Sequence, residues 1–199
     1  MKTLVLALLI PVAICTACSK KEESVVKTAP APVNAAPNTP ATTNAPAAPN
    51  APVPGRAIAH VKLIAAAGSS VKGDLTVVNQ GDAISIRGEI TGLAPGKEHG
   101  FHVHEFGKCS PPDFKSAGEH FNPTKASHGE HLGDLPNARA DENGKATIDA
   151  YVKGPNLVDK DGAPSQIIGK SLIVHAMPDD YKTQPSGGSG ARIACGVIR

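Results

Sequence analysis

Tryptophan is absent from the 199 residues, and two Tyr and four Phe bring the aromatic share to only 3%. Any core this chain builds must therefore be aliphatic. A one-sided charge is missing too: 20 Lys and Arg stand against 18 Asp and Glu. That balance lacks the basic excess nucleic-acid binders rely on, so no nucleic-acid partner is expected. No apolar run approaches the ~20 residues a membrane-spanning helix needs. Hydrophobic residues at 40% and charged residues at 19% fit a soluble globular chain rather than a disordered one. What the chain has in excess is histidine, and six of its eight lie between His99 and His131.

The first residues read as an address. Met1 and Lys2 precede the apolar run Leu4–Ile14, the layout of a secretory signal peptide over residues 1–17. Small residues before Cys18 resemble the lipobox of bacterial lipoproteins, with Cys18 acylated as the first mature residue. Cys15 fits less well, because Ala17 is small whereas Ile14 is not. The other reading is an ordinary secretory signal cleaved nearby. Both carry the mature chain to the cell envelope (periplasm), where disulfides persist; a lipid on Cys18 would add the membrane as a partner.

A linker is expected over residues 18–54. From Ala29 to Pro54 the chain holds nine Ala, eight Pro and four Asn, a composition that forbids helices and sheet ladders. Residues 55–199 then form one domain with 16 basic and 16 acidic residues. Attraction for a charged substrate must come from local placement, since the domain is formally neutral.

Within that domain Ile58–Ala66, Val71–Asn79 and Ala83–Thr91 read as strands. Ile84, Ile86 and Ile90 share one parity, with Ser85, Arg87 and Glu89 on the other. Further strands are expected near Gly100–Glu105, Lys145–Val152, Ser171–Ala176 and Arg192–Ile198. Asp141-Glu142-Asn143-Gly144 is a hairpin turn ahead of one of them. Two long Gly/Pro-rich stretches, Gly107–Asn137 and Pro178–Gly190, lie between strands, and loops of that length are usually functional. The expectation is an all-β sandwich or barrel of about eight antiparallel strands.

His102-Val103-His104 alternates on a strand, so both imidazoles point to one face and Val103 to the other. Such a pair can clamp a metal. His120, His128, His131, Asp134 and His175 extend the donor set toward copper or zinc.

Four motifs now carry a resemblance. Gly100-Phe101-His102-Val103-His104-Glu105-Phe106-Gly107 resembles the first signature of the Cu/Zn superoxide dismutases. Gly118-Glu119-His120-Phe121-Asn122-Pro123, with His128-Gly129 eight residues after His120, resembles their bridging region. His131-Leu132-Gly133-Asp134-Leu135 resembles their zinc segment, and Gly190-Ala191-Arg192-Ile193-Ala194-Cys195-Gly196-Val197-Ile198 their C-terminal signature. The resemblance spans residues 57–199 and implies a Greek-key fold with two functional loops.

It further implies copper on His102, His104, His120 and His175, and zinc on His120, His128, His131 and Asp134. His120 would bridge the two metals as an imidazolate. Asp179 would link ligands of both, and Arg192 would guide the anionic substrate, superoxide. Copper would cycle between two oxidation states to give dioxygen and hydrogen peroxide, with zinc positioning His120. Cys109 and Cys195 would pair as a disulfide. His60 and His99 are expected to bind no metal, and Lys182 to be a solvated surface charge. Only Gly129 and Glu130 separate His128 from His131, fewer than the family usually has, which puts the zinc geometry to the test. A non-enzymatic envelope copper/zinc carrier on the same fold is the alternative. Whether copies of the chain pair as a homodimer is left open.

Overall fold

The computed structural model describes residues 58–158 and 165–199. The expected signal peptide, the acylation site Cys18, the linker to Pro54 and the domain's first residues lie outside them.

Among the described residues nine strands alternate with turns: β1 (Ile58–Ala65), β2 (Lys72–Asn79), β3 (Ala83–Thr91), β4 (Glu98–His99), β5 (Phe101–His104), β6 (Ala138–Arg139), β7 (Ala146–Lys153), β8 (Ser171–His175) and β9 (Arg192–Val197). Every pairing between them is antiparallel. One sheet runs in the order β5-β8-β9-β1-β2-β3-β7, and β4 pairs with β6. The chain meanders through β1, β2 and β3, then crosses to the far edge at β5. It returns to β7 beside β3 and crosses again to β8, a Greek-key path. β4 leads directly into β5, and β6 contacts β7, so the short ladder helps the sheet curl closed.

The period-2 pattern explains the core. Ala59, Val61 and Leu63 from β1, Leu75 and Val77 from β2, and Ile84, Ile86 and Ile90 from β3 are all buried. Phe101, Val103, Leu172 and Val174 complete the interior from the other side. Each buried Val, Leu, Ile or Phe side chain among them contributes about 1.5–3 kcal/mol by leaving water. Ser85 departs from its expected exposed parity: it is buried on the outer face, flanked in register by Val78 and Tyr151. A second small cluster joins Phe114, Ala117 and Ala66 to Ile173 and Cys195.

The two strands missing from the sequence reading are β4 and β6. Each is two residues long, too short to show any period.

Candidate metal centre

The site is built along β5. Its hydrogen-bonding edge away from β8 is occupied by the loop after it. Phe121 N–H donates to the Val103 carbonyl at 2.8 Å, and Val103 N–H donates to the Gly133 carbonyl at 2.8 Å. His104 thereby faces His120, and His102 faces Asp134. On the other edge β8 brings His175. There the pairing with β9 slips by one residue, so that His175 lies opposite Arg192 rather than Ile193. A bulge of this kind re-aims side chains at a functional edge.

Two groups of potential ligands result: His102, His104, His120 and His175, and His120, His128, His131 and Asp134. Within each group the donor atoms lie within 4.8 Å of one another. His120 belongs to both. The structure thus brings together every candidate ligand named from the sequence. His99 stays outside, buried with Nδ1 2.8 Å from the His175 carbonyl, and His60 is exposed on β1.

The nitrogens not aimed at the clusters are tied down. His104 Nδ1 lies 2.9 Å from the Gly118 carbonyl, and His175 Nδ1 lies 3.1 Å from that of Gly190. A carbonyl only accepts, so each of these nitrogens carries the proton and leaves Nε2 with its lone pair free. Those two Nε2 atoms face each other at 3.4 Å. Asp179 does the same for two more rings. One oxygen accepts from His102 Nε2 at 2.7 Å and the other from His128 Nε2 at 2.8 Å. His102 Nδ1, His120 Nε2, His128 Nδ1 and His131 Nδ1 are buried with no hydrogen-bond partner. Nitrogens so placed would be costly in a site without a cation, His128 Nδ1 and His131 Nδ1 having only Asp134 oxygens at 3.4 and 3.3 Å, and imidazoles with a carboxylate are a donor set that suits copper and zinc.

Burial favours the neutral form of four of the rings. Burial lowers His102, His104, His131 and His175 below the ordinary imidazole value. For His175 burial and then the nearby His102 push it down to about 3. Burial acts to raise Asp179, but the bonds from His102 and His128 and from Tyr181 N–H outweigh it and hold the carboxyl well below its usual range. Asp134 is likewise lowered: burial opposes, while His120 and Gly129 N–H win.

The short connection between His128 and His131 folds around Asp134. Gly129 takes φ +96°, a conformation costly for side-chain-bearing residues. Gly129 N–H and His131 N–H both donate to Asp134 Oδ2, at 2.8 and 3.1 Å. Two intervening residues therefore suffice to place both imidazoles in one cluster, with ring centroids 5.2 Å apart.

Arg192 is half-buried, donating to the carbonyls of Phe114 at 2.8 Å and Gly118 at 2.6 Å. It also lines a surface cavity of about 680 Å³ together with Lys115, Glu119 and Gly190, which none of the histidines lines. Cys109 and Cys195 form a disulfide with Cα atoms 5.6 Å apart, tying the β5 loop to the strand that carries Arg192. Lys182 is exposed. Sequence reasoning missed Asn137 and Gln184, whose amides bridge the two long loops; neither has a spacing or chemistry that marks it in a sequence.

A curled antiparallel sheet carrying two ligand groups that share one imidazole, the first buried and the second partly so, has the donor set of a metal-binding protein. The copper/zinc superoxide dismutase family model matches residues 71–198. The chain belongs to that family, a family of oxidoreductases with copper and zinc as cofactors. Superoxide dismutase (Cu-Zn) 1 of Aquifex aeolicus is 40% identical over 150 residues, covering 70% of this chain and 86% of that protein. The Cu-Zn superoxide dismutase of Caulobacter vibrioides is 41% identical over 146 residues, covering 69% and 83%. Among solved structures, a SOD-like protein from Bacillus subtilis superposes with a TM-score of 0.63 at 38% identity, covering 69% of this chain and 95% of that one.

Proposed function

We propose that the protein dismutates superoxide, two superoxide ions and two protons giving one dioxygen and one hydrogen peroxide. The observation that carries this reading is the sharing of His120 between two ligand groups with Arg192 beside them. His102, His104, His120 and His175 are assigned to copper, and His120, His128, His131 and Asp134 to zinc. When bound, copper supplies the one-electron couple, and zinc, which has no redox chemistry, supplies a fixed charge that positions His120.

The chain's own residues do the rest. His120 turns Nδ1 toward Asp134 at 2.9 Å and leaves Nε2 for the other group. It can therefore hold a proton at Nε2 and pass it to the reduced product, the second proton coming from water. Asp179 holds the rings of His102 and His128 in one tautomer across both groups. Arg192 places a permanent positive charge opposite His175, where an anionic substrate must approach.

We further propose that the protein works in the cell envelope, carried there by residues 1–17 and tethered to a membrane through a lipid on Cys18 and the linker to Pro54. The apolar run Leu4–Ile14 and the small residues before Cys18 support this. The intact mass of the mature chain tests it: an acylated Cys18 is expected, and an unmodified start elsewhere refutes it.

The activity is tested on chain loaded with copper and zinc. Both metals should bind, and superoxide should be consumed faster than by the same concentration of free copper ion. Metals bound without that activity would instead favour the carrier reading.

A further inference from the structure

Gln184 sits in the loop that joins β8 to β9, yet its side chain is committed to the other long loop. Its Oε1 accepts from His128 N–H at 2.9 Å, and its Nε2 donates to the His128 carbonyl at 3.4 Å. The same Nε2 lies 3.2 Å from the Lys182 carbonyl, which anchors the amide to its own loop. One side chain therefore takes both backbone polar groups of a residue that belongs to no strand. The His128 ring is held from the same loop, through Asp179.

His128 needs this hold. Only Gly129 and Glu130 connect it to His131, and the connection is already turned tightly around Asp134. The bonds to Asp134 that turn it reach the backbone of Gly129 and His131, and neither reaches the backbone of His128. The second loop supplies the missing constraint. The first loop answers in kind: Asn137 accepts from Asp179 N–H at 2.9 Å and donates to the Asp179 carbonyl at 2.9 Å.

We propose that Gln184 is a positioning residue for the zinc ligand His128, setting that ligand's backbone from the loop that also carries Asp179. The inference rests on the assignment of His128 to zinc. Gln184 touches none of the reacting atoms; it acts through His128. Outer partners of metal ligands typically govern affinity by about 10- to 100-fold, and that is the effect expected.

The test uses the full chain and the variants Gln184→Ala and Gln184→Glu, with cobalt(II) as a visible probe of the zinc position. Zinc and cobalt affinities come from chelator competition, copper affinity from a separate competition, and the fold from the thermal midpoint of metal-stripped protein. Gln184→Ala should weaken zinc and cobalt about 10- to 100-fold and alter the cobalt spectrum, while copper affinity and the metal-free midpoint hold. Gln184→Glu keeps an oxygen for His128 N–H and should recover most of the loss. Unchanged zinc affinity in Gln184→Ala overturns the proposal. So does loss of both metals together with a lower metal-free midpoint, which would make Gln184 a merely structural residue. Wild-type chain that binds cobalt and copper but consumes no superoxide would sink the proposed activity and leave this inference standing. Wild-type chain that takes no cobalt would sink the inference.

Discussion

Arg192 and His104 donate to the same acceptor, the Gly118 carbonyl, at 2.6 and 2.9 Å. The carbonyl fixes the tautomer of a ligand with one lone pair and the direction of a guanidinium with the other. Arg192 spends its second arm on Phe114, whose left-handed backbone (φ 55°) turns that carbonyl toward it. The charge facing the site is thus clamped rather than loose.

Replacing Arg192 separates attraction from ligation. Guidance of small anions by local charge is worth roughly 10- to 1000-fold in association rate. Arg192→Ala should lower kcat/KM for superoxide by about tenfold or more while copper and zinc content stay at wild-type levels, and the remaining rate should depend less on salt. Arg192→Lys should fall between, because one ammonium cannot fork to both carbonyls. Metal content falling in step with activity would show that Arg192 serves ligation instead.

The disulfide should matter to stability first. Cys109 and Cys195 are 86 residues apart in sequence, and closing a loop of that size contributes about 4–5 kcal/mol in the chain-entropy model. Spread over a domain of this size, that corresponds to roughly 10–15 °C in thermal midpoint. Reduction, or Cys109→Ser with Cys195→Ser, should lower the midpoint by that order. A shift of only a degree or two would mean that the packing of Phe114 against Ile173 holds the loop by itself.

Metal-stripped protein should become more stable as pH rises through the mildly acidic range. His102, His104, His131 and His175 are all held below 6.5 in the fold. Between their folded and unfolded values the unfolded chain binds the extra protons, so stability grows with pH and is complete above the unfolded value. Asp134 and Asp179 act in the same direction lower down: their contribution is present above 3.8 and fades as pH drops through their folded values. Thermal midpoints of chelator-treated protein should climb between about pH 4 and pH 7 and then level off. A flat profile would contradict the neutral, buried state of these rings.

Much of this was readable before any coordinates. Strict alternation in Ile84–Ile90 and in His102–His104 fixes which side chains share a face, because a strand has a period of two and nothing else to choose. The meeting of His128, His131 and Asp134 is different. It is made by a turn at Gly129 and by bonds to a carboxylate, and neither has a period. The histidine cluster named those donors, and the four-motif resemblance assigned them to one metal where the strand pattern could not. Asn137 and Gln184 escaped both routes: an amide in a polar loop looks like any other until the opposing backbone is in place. The bulge that sets Arg192 opposite His175 was equally hidden, since the one extra residue on β9 shows only against its partner strand.

Two adjacent glycines offer a paired test of how tightly the Asp179 bridge is packed. Gly187 has φ +63° and Gly188 φ +65°, so alanine strains the backbone alike at both, by roughly 1–2 kcal/mol. Their surroundings differ. A Cβ on Gly188 would meet nothing within 4 Å, whereas one on Gly187 would collide with Asp179 Oδ1 and come within 2.6 Å of His128 Nε2. Both of those atoms belong to the bond that fixes the His128 tautomer. Gly188→Ala should therefore lose a little stability and keep its zinc. Gly187→Ala should lose at least about tenfold in zinc affinity, the usual consequence of disturbing a ligand's outer partner, with copper less affected because only His102 of its ligands leans on Asp179, through the other oxygen, while His104 and His175 are held by carbonyls. Chelator competition on the two variants measures the contrast directly, and equal zinc affinities would show that the Asp179 loop yields easily rather than holding His128 in place.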